Sequence, residues 1–356
     1  MKNVIRRLSN WQHWPFFPFY FPLFFVWSWY MLKSRAIWFF STSNPTLTFG
    51  GFEGESKKEM YDLLPEKYFP KTIYISPQQT FDQVLEKVRS GSFSYPFIVK
   101  PDVGMEGILF RKIDNEQHLE TYHRNMPAQY IIQDFVDYPM EIGVFYYRHP
   151  TNNSGVITAL FSKKLPLIKG DGFSTIKEIV EEEQPEIAEE LLKLEESELG
   201  RVLKKEEIIN LSFIGNRYHG ATFHDLSEHI DETLMELFDR ISHDSRFYYG
   251  RYDIKCSSIE DLKKGINFSI LEFNGAGSIP NHIYTGRHSL IEAYKEICKH
   301  WKVLYEISAY NRREGLAYWN TLKGYRYLRK ANKHFRVLKK CDSLILLKNK
   351  KISTNP

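Results

Sequence analysis

The stretch FSILEFNGAGSIP, residues 268–280, decides how the chain is read. Phe268, Ile270, Leu271 and Phe273 have the apolar character of a buried strand, yet Glu272 and Asn274 stand inside it. Residues two apart on a strand point to the same face, so this carboxylate and this amide share a direction. An unpartnered carboxylate costs several kcal/mol to bury, so the pair needs something to compensate it. The glycine-rich GAG that follows lets the backbone turn sharply and lets another group approach closely.

A second stretch, YYGRYDIKC (248–256), supplies the candidate compensation. Arg251 and Asp253 are again two apart. If this strand pairs with FSILEFN, then Asp253, Glu272 and Asn274 converge. Oxygen ligands without Cys or His describe a hard cation, and Mg²⁺ between carboxylates and nucleotide phosphates fits that description best. Two unrelated surface acids would not need such apolar flanks.

Working outward, IVKPDVGMEGILF places Lys100 at a strand end, then a loop with Gly104 and Gly107, then another strand. Glycines let backbone N–H groups wrap phosphate oxygens, and the lysine adds a point charge. GxxxxGK[ST] is absent, and a plain hairpin loop reads equally well from these residues alone. QYIIQDFVDYPMEIGV puts Gln133 and Phe135 at a strand end and Glu141 at the start of the next strand. Such a hinge can offer polar groups to a base edge, an apolar neighbour to its face and a carboxylate to ribose hydroxyls. An edge-strand glutamate in solvent is the simpler reading of Glu141 taken alone.

The 356 residues, 42% apolar, suffice for one large core or two to three smaller lobes. Cys256, Cys298 and Cys341 have neither metal-ligand spacing nor even pairing, which points to a reduced, cytosolic body. Residues 311–356 carry 13 Lys/Arg against Glu314 and Asp342, a local +11, which leaves −7 on residues 1–310. A basic end on an acidic body suggests an anionic partner surface. No zinc-finger, RNP or helix-turn-helix pattern supports nucleic acid, so none is expected as a partner.

The first 50 residues differ from the rest. No Asp, Glu, Lys or Arg lies between Arg7 and Lys33, and HWPFFPFYFPLFFVWSWYML is mostly aromatic. Pro15, Pro18 and Pro22 break any one helix, and Trp and Tyr favour the headgroup boundary. The segment is read as an interfacial or re-entrant anchor, with Arg6, Arg7, Lys33 and Arg35 available to anionic lipid. A true span and an aromatic core packed on the body are the alternatives. From residue 57 onward helices and strands mix in hairpins rather than strict βαβ alternation, which predicts α+β lobes.

Taken in order, VKPDVGMEG, IIQDFVDYPMEIGV, GRYDIKC and LEFNGAGS resemble the ATP-grasp superfamily, and in particular D-alanine–D-alanine ligase and its relatives. KGDGFSTIKEIV (169–180) and IGNRYHGATFHDL (214–226) are similar to segments of cyanophycin synthetase-type domains. The resemblance covers roughly residues 57–305. It implies a nucleotide held between two α+β lobes and an ATP-dependent, Mg²⁺-dependent carboxylate–amine ligase, with Mn²⁺ as a substitute ion. A carboxylate becomes an acylphosphate, and an amine then attacks it. A phosphotransferase on the same fold, or a non-catalytic nucleotide-binding protein, is the alternative reading.

Carried over by position, the resemblance puts Lys100 on the α/β-phosphates beside Gly104 and Gly107. It makes Lys57, with Lys58 as the alternative, the earlier phosphate lysine. Gln133 and Phe135 fall at the adenine, Glu141 at the ribose, and Asp253, Glu272 and Asn274 at magnesium. Arg251 neutralises the transferring phosphoryl group. Lys163 or Lys164 faces the γ-phosphate, and Asn216 and Arg217 line the same end. His282, Tyr284 and Arg287 are candidates for the acceptor.

The expected spans are an aromatic segment (1–50), a short region (51–95), a small lobe (96–141), a large lobe (142–310) and a basic tail (311–356). Two departures stand out. Gly277-Ser278 replaces the usual proline-glycine after the metal-binding Asn, and the N-terminal lobe that shapes the acceptor site in relatives is reduced to about 45 residues. The expected location is cytoplasmic, at the inner membrane face, with small carboxylate and amine substrates.

Overall fold

The computed structural model describes residues 11–183, 199–211, 215 and 220–352. Three helices come first: α1 (Phe16–Tyr20), α2 (Phe24–Ser34) and α3 (Lys57–Tyr61). Next come β1 (Thr72–Ile75), α4 (Phe81–Ser90), β2 (Phe97–Pro101), β3 (Arg111–Ile113), α5 (Glu116–Asn125), β4 (Tyr130–Asp134) and β5 (Met140–Tyr147). The middle of the chain holds β6 (Val156–Lys164), β7 (Leu167–Lys169), α6 (Ile176–Glu183), β8 (Ile208–Asn210) and β9 (Thr222–Asp225). The last part contains α7 (Glu232–Ser245), β10 (Tyr249–Cys256), α8 (Ile259–Lys263), β11 (Phe268–Asn274), α9 (Leu290–Arg313) and α10 (Thr321–Ile352). The α+β class expected from the sequence is present.

Two compact units result. One comprises residues 1–69, 138–162 and 223–331; the other comprises 70–137, 163–222 and 332–356. This division differs from the expected spans. The region 51–95 does not stand apart, because β1 pairs antiparallel with β4, Ile73 opposite Ile132. Lys163–Thr222 groups with the unit that holds β1–β4 rather than with the rest of 142–310.

In that unit the sheet order is β1-β4-β2-β3, and β7 pairs with β8 in a separate ribbon. The helix α4 starts in a capping box between Thr80 and Gln83. The strand expected over Ile108–Phe110 begins only at Arg111, since Leu109 turns through a positive φ of 57° and its carbonyl accepts from Tyr122 Oη. The acidic stretch from Ser174 to about Leu203, whose sequence reads as helical, forms α6 over Ile176–Glu183, and residues 184–198 lie outside the described residues.

The other unit is built on the sheet β11-β10-β5-β6-β9. Alternation along β10 sends Tyr252 to a face covered by α7, where its ring meets Phe238 at 5.2 Å and its hydroxyl meets Ser242. Tyr249, with Phe145 beside it, faces the other way, towards α9 and His300. A capping box between Ser289 and Glu292 starts α9.

The aromatic N-terminal region divides into two parts. Phe39, Phe40 and Phe49 are completely enclosed and join Phe145, Phe161, Tyr249, Leu304 and Ile307 in one core. Asn44, also buried, fixes this segment by accepting from the Tyr248 and Tyr249 amides and donating to the Tyr249 and Gly50 carbonyls. Before it, α1 and α2 show two apolar faces. Phe19 and Leu23 pack against Ile283, Ala293 and Ile297. Phe17, Phe25 and Leu32 on the outer side are 73%, 67% and 74% exposed. Among the described residues no helix is long and apolar enough to cross a membrane.

The basic end is not a tail but the helix α10. Arg111 pairs with Asp342 at 2.6 Å, and His334 meets the Val103 carbonyl. Trp38 donates its indole N–H to the Thr321 carbonyl.

The GAG turn answers part of the question its glycines raise. The group that approaches is backbone, not ligand: Ala276 and Gly277 donate to the Gly50 and Gly51 carbonyls at 3.0 and 3.1 Å. A Cβ on Gly277 would fall 1.9 Å from the Phe52 carbonyl oxygen. Gly277→Ala is therefore expected to cost about 2–4 kcal/mol, because the obstacle is main chain that cannot rotate away. Urea denaturation of the variant measures this, and an unchanged midpoint would show the turn to be pliable.

Candidate functional site

The two strands singled out by sequence do pair. Across β10 and β11, Arg251 lies opposite Asn274 and Asp253 opposite Glu272, with a bulge just beyond Asp253. On the other side of β10, Phe145, Gly143 and Glu141 of β5 stand opposite Arg251, Asp253 and Lys255. Directly opposed residues share a face, so Arg251, Asp253, Glu272, Asn274 and Glu141 all project from one side of the sheet. Lys255 belongs to the same face and was not picked out by sequence reading; its alternation with Asp253 was the available signal.

The side chains form a connected set. Arg251 clamps Asp253 through two parallel bonds of 2.9 Å, Nε to Oδ1 and Nη2 to Oδ2, and its Nη1 reaches the Ile279 carbonyl. Asn274 Nδ2 lies 3.4 Å from Asp253 Oδ2. Both members of the clamp are largely enclosed, with side chains 15% and 12% exposed. Burial alone would lower the Arg251 pKa, but Asp253, Glu272 and Glu141 together hold it above its ordinary value.

Lys57, at the start of α3, is buried and places Nζ 3.8 Å from Glu272 Oε1. Its position follows from Ser56, which caps the helix by accepting from the Glu59 amide. Lys58 points elsewhere, to Asp62.

One carboxylate beside this set went unnoticed in the sequence. Glu55 has Oε2 fully enclosed with no protein hydrogen-bond partner, and burial, with a lesser contribution from Glu272, pushes its pKa up to about 7. The folded state therefore keeps a proton that the unfolded chain gives up near pH 4.5. The stability this contributes is fully present below pH 4.5 and lost as pH rises through 7. Glu55→Gln should match wild type at pH 4.5 and be more stable at pH 8 by on the order of 2–3 kcal/mol. Denaturation at the two pH values checks this, and a constant difference would mean that Glu55 is ionised throughout.

The expected nucleotide residues Lys100, Gly104, Gly107, Gln133, Phe135 and Lys163 lie in the unit holding β1–β4. Lys100 is on β2 opposite Ile131, followed by the loop with Gly104 and Gly107, the latter at φ +75°. Gln133 is buried on β4 and donates to Thr72 Oγ1 at 2.8 Å. Phe135 receives Lys112 over its ring at 5.0 Å. Lys163 is near the end of β6. Asn216 and Arg217 lie outside the described residues. Of the acceptor candidates, His282 is buried, Tyr284 packs on Phe19 and Trp11, and Arg287 pairs with Asp225.

No protein-family model matches the chain, and no curated protein matches it. Among solved structures, the D-alanine–D-alanine ligase of Bacillus anthracis is similar, with TM-score 0.41 and 14% identity over 73% of this chain and 69% of that one. The VanG D-Ala:D-Ser ligase of Enterococcus faecalis gives 0.42 and 11%, covering 70% and 61%. A bifunctional glutathione synthetase of Pasteurella multocida gives 0.37 and 14%, covering 68% and 35%. The ATP-grasp ligase PsnB gives 0.38 and 11%, covering 70% and 60%. The present chain spans less than two thirds of the VanG and glutathione synthetase chains.

Proposed function

We propose that the protein is an ATP-dependent carboxylate–amine ligase that works through an acylphosphate. The observation that carries this reading is the cross-strand array of Arg251, Asp253, Glu272 and Asn274 on one sheet face, with Lys57 against Glu272.

The donor set fits magnesium. Asp253 Oδ1 accepts from Arg251 Nε, Asp253 Oδ2 accepts from Arg251 Nη2 with Asn274 Nδ2 at 3.4 Å, the Asn274 amide oxygen is an oxygen donor of the kind Mg²⁺ takes, and Glu272 is only loosely paired with Lys57. Asp253, Glu272 and Asn274 would hold Mg²⁺, or Mn²⁺ in its stead. The ion would neutralise phosphate charge and orient the β- and γ-phosphates.

Arg251, already held rigid by Asp253, would turn the edge away from that carboxylate, where Nη1 makes only a 3.4 Å contact to the Ile279 carbonyl, to the transferring phosphoryl group. Lys57 would balance the negative charge that gathers as ADP departs. Glu141 would accept from the ribose hydroxyls, and Lys100 with the Gly104 and Gly107 amides would hold phosphate oxygens. Gln133 and Phe135 would meet the adenine, and Lys163 and Asn216 the γ-phosphate. A carboxylate oxygen attacks the γ-phosphorus and ADP leaves. An amine nitrogen then attacks the acyl carbon, phosphate leaves, and the amine gives up a proton.

Incubation of the full chain with ATP, Mg²⁺ and pooled carboxylates and amines tests this. Phosphate release requiring both pools, with an amide product, is expected. A phosphoester without amide would instead establish a phosphotransferase, and absence of ATP binding by calorimetry would overturn both.

We place this activity at the cytoplasmic membrane face because the outer row of Phe17, Phe21, Phe25 and Leu32 is unusually exposed for apolar side chains. The full chain should sediment with anionic vesicles, and Phe17→Glu with Phe25→Glu should release it. Equal sedimentation of the double variant would remove the membrane from the proposal.

A further inference from the structure

A second group of ligating side chains lies apart from the magnesium set. Glu296 and His300 are four residues apart on α9 and so share a face. His282, on the short 3-10 turn Asn281–Tyr284, meets them. Nε2 of His300 is 3.1 Å and Nε2 of His282 is 3.6 Å from the same Glu296 oxygen, Oε1. One ligand atom from each residue lies within 4.8 Å of the other two.

Two features make this more than a salt-bridged pair. His300 and His282 are 1% and 7% exposed, yet the Nδ1 of each is enclosed with no protein partner. The hydrogen-bonding capacity of two buried imidazoles is thus left half used, which proteins seldom tolerate. The edge of the His300 ring is also fixed by packing on Phe145, 4.4 Å between centroids.

We propose that His282, Glu296 and His300 form a binding site for a zinc-class divalent ion. Two imidazoles and one carboxylate, with a fourth position open, are a common donor set for such ions, and nitrogen donors disfavour Mg²⁺. Ligand atoms around a tetrahedral zinc stand about 3.3 Å apart, close to the 3.1 and 3.6 Å found here.

Because neither Nδ1 has a carboxylate or carbonyl behind it, the ligands lack outer support. The ion should therefore be exchangeable and removable by EDTA rather than permanently built in.

The test uses tag-free full-length protein, stripped with EDTA, freed of chelator and kept in excess Mg²⁺. Zn²⁺ is titrated against a chromogenic chelator, and Co²⁺ is added separately for its absorption spectrum. One equivalent of Zn²⁺ is expected, with a four-coordinate nitrogen–oxygen Co²⁺ spectrum. Glu296→Gln and His300→Asn should each weaken Zn²⁺ binding about 100-fold or more, while Glu272→Gln should leave it unchanged. Glu296 is partly exposed on its helix, so its variant keeps the fold even if His300→Asn does not. No Zn²⁺ equivalent on the wild-type chain, or the same affinity in Glu296→Gln, would overturn the site and leave Glu296 as a hydrogen-bond bridge between two histidines.

Discussion

Glu272→Gln is expected to reduce turnover about 100-fold or more while changing stability by only about 1 kcal/mol. The Glu272 side chain is 31% exposed, more open than those of Arg251 and Asp253, and its pairing with Lys57 is long at 3.8 Å. Such a pair contributes little to folding. The same carboxylate would be a direct ligand of the nucleotide's cation, and one lost charge-stabilising contact typically costs 10²–10³-fold in rate. Phosphate-release kinetics across a Mg²⁺ series, with urea denaturation alongside, separate the two effects. Full activity at an unchanged Mg²⁺ requirement would remove Glu272 from the metal site.

Asp253→Asn should behave differently although it alters the facing position. Both Asp253 oxygens are engaged by Arg251, and both side chains are largely enclosed. Neutralising the carboxylate leaves a guanidinium without its counter-charge in a poorly hydrated place, which costs about 3 kcal/mol. Turnover should vanish and the unfolding midpoint should fall together. Adding Arg251→Met to Asp253→Asn should restore much of the stability but none of the activity, since the cost comes from the orphaned charge. If Asp253→Asn unfolds at the wild-type midpoint, Arg251 has another partner that replaces the clamp.

Much of this was readable from residue order. Alternation in LEFN and RYD places Arg251, Asp253, Glu272 and Asn274 on one face, and the strands do pair in that register. Periodicity of two is a local property, so a sequence displays it directly. What was not readable depended on partners distant along the chain. The glycines of GAG announced a close approach, but nothing in them named Gly50–Phe52 as the approaching group. The positive charges of residues 311–356 read as a basic tail for an anionic surface. The apolar residues between them, Phe335 and Leu338, are buried and dock α10 instead. Glu55 resembles any acid between glycines until its neighbours enclose it. By contrast, Glu296 and His300 stood four apart in EICKH, a helical spacing that was open to notice.

The segment around Asn44 has a consequence for the timing of synthesis. Asn44 waits for Tyr248, 204 residues later, and Thr42 accepts from Asn311, 269 residues later. At about 5–20 residues per second, a ribosome needs tens of seconds to deliver those partners. The strands β1–β4, all within residues 72–134, have what they need far sooner. The unit that begins at the N-terminus is thus the one whose core closes late. Through that interval Phe39, Phe40 and Phe49 lack the partners that enclose them in the folded unit, and the nascent chain carries an exposed aromatic cluster until α9 emerges.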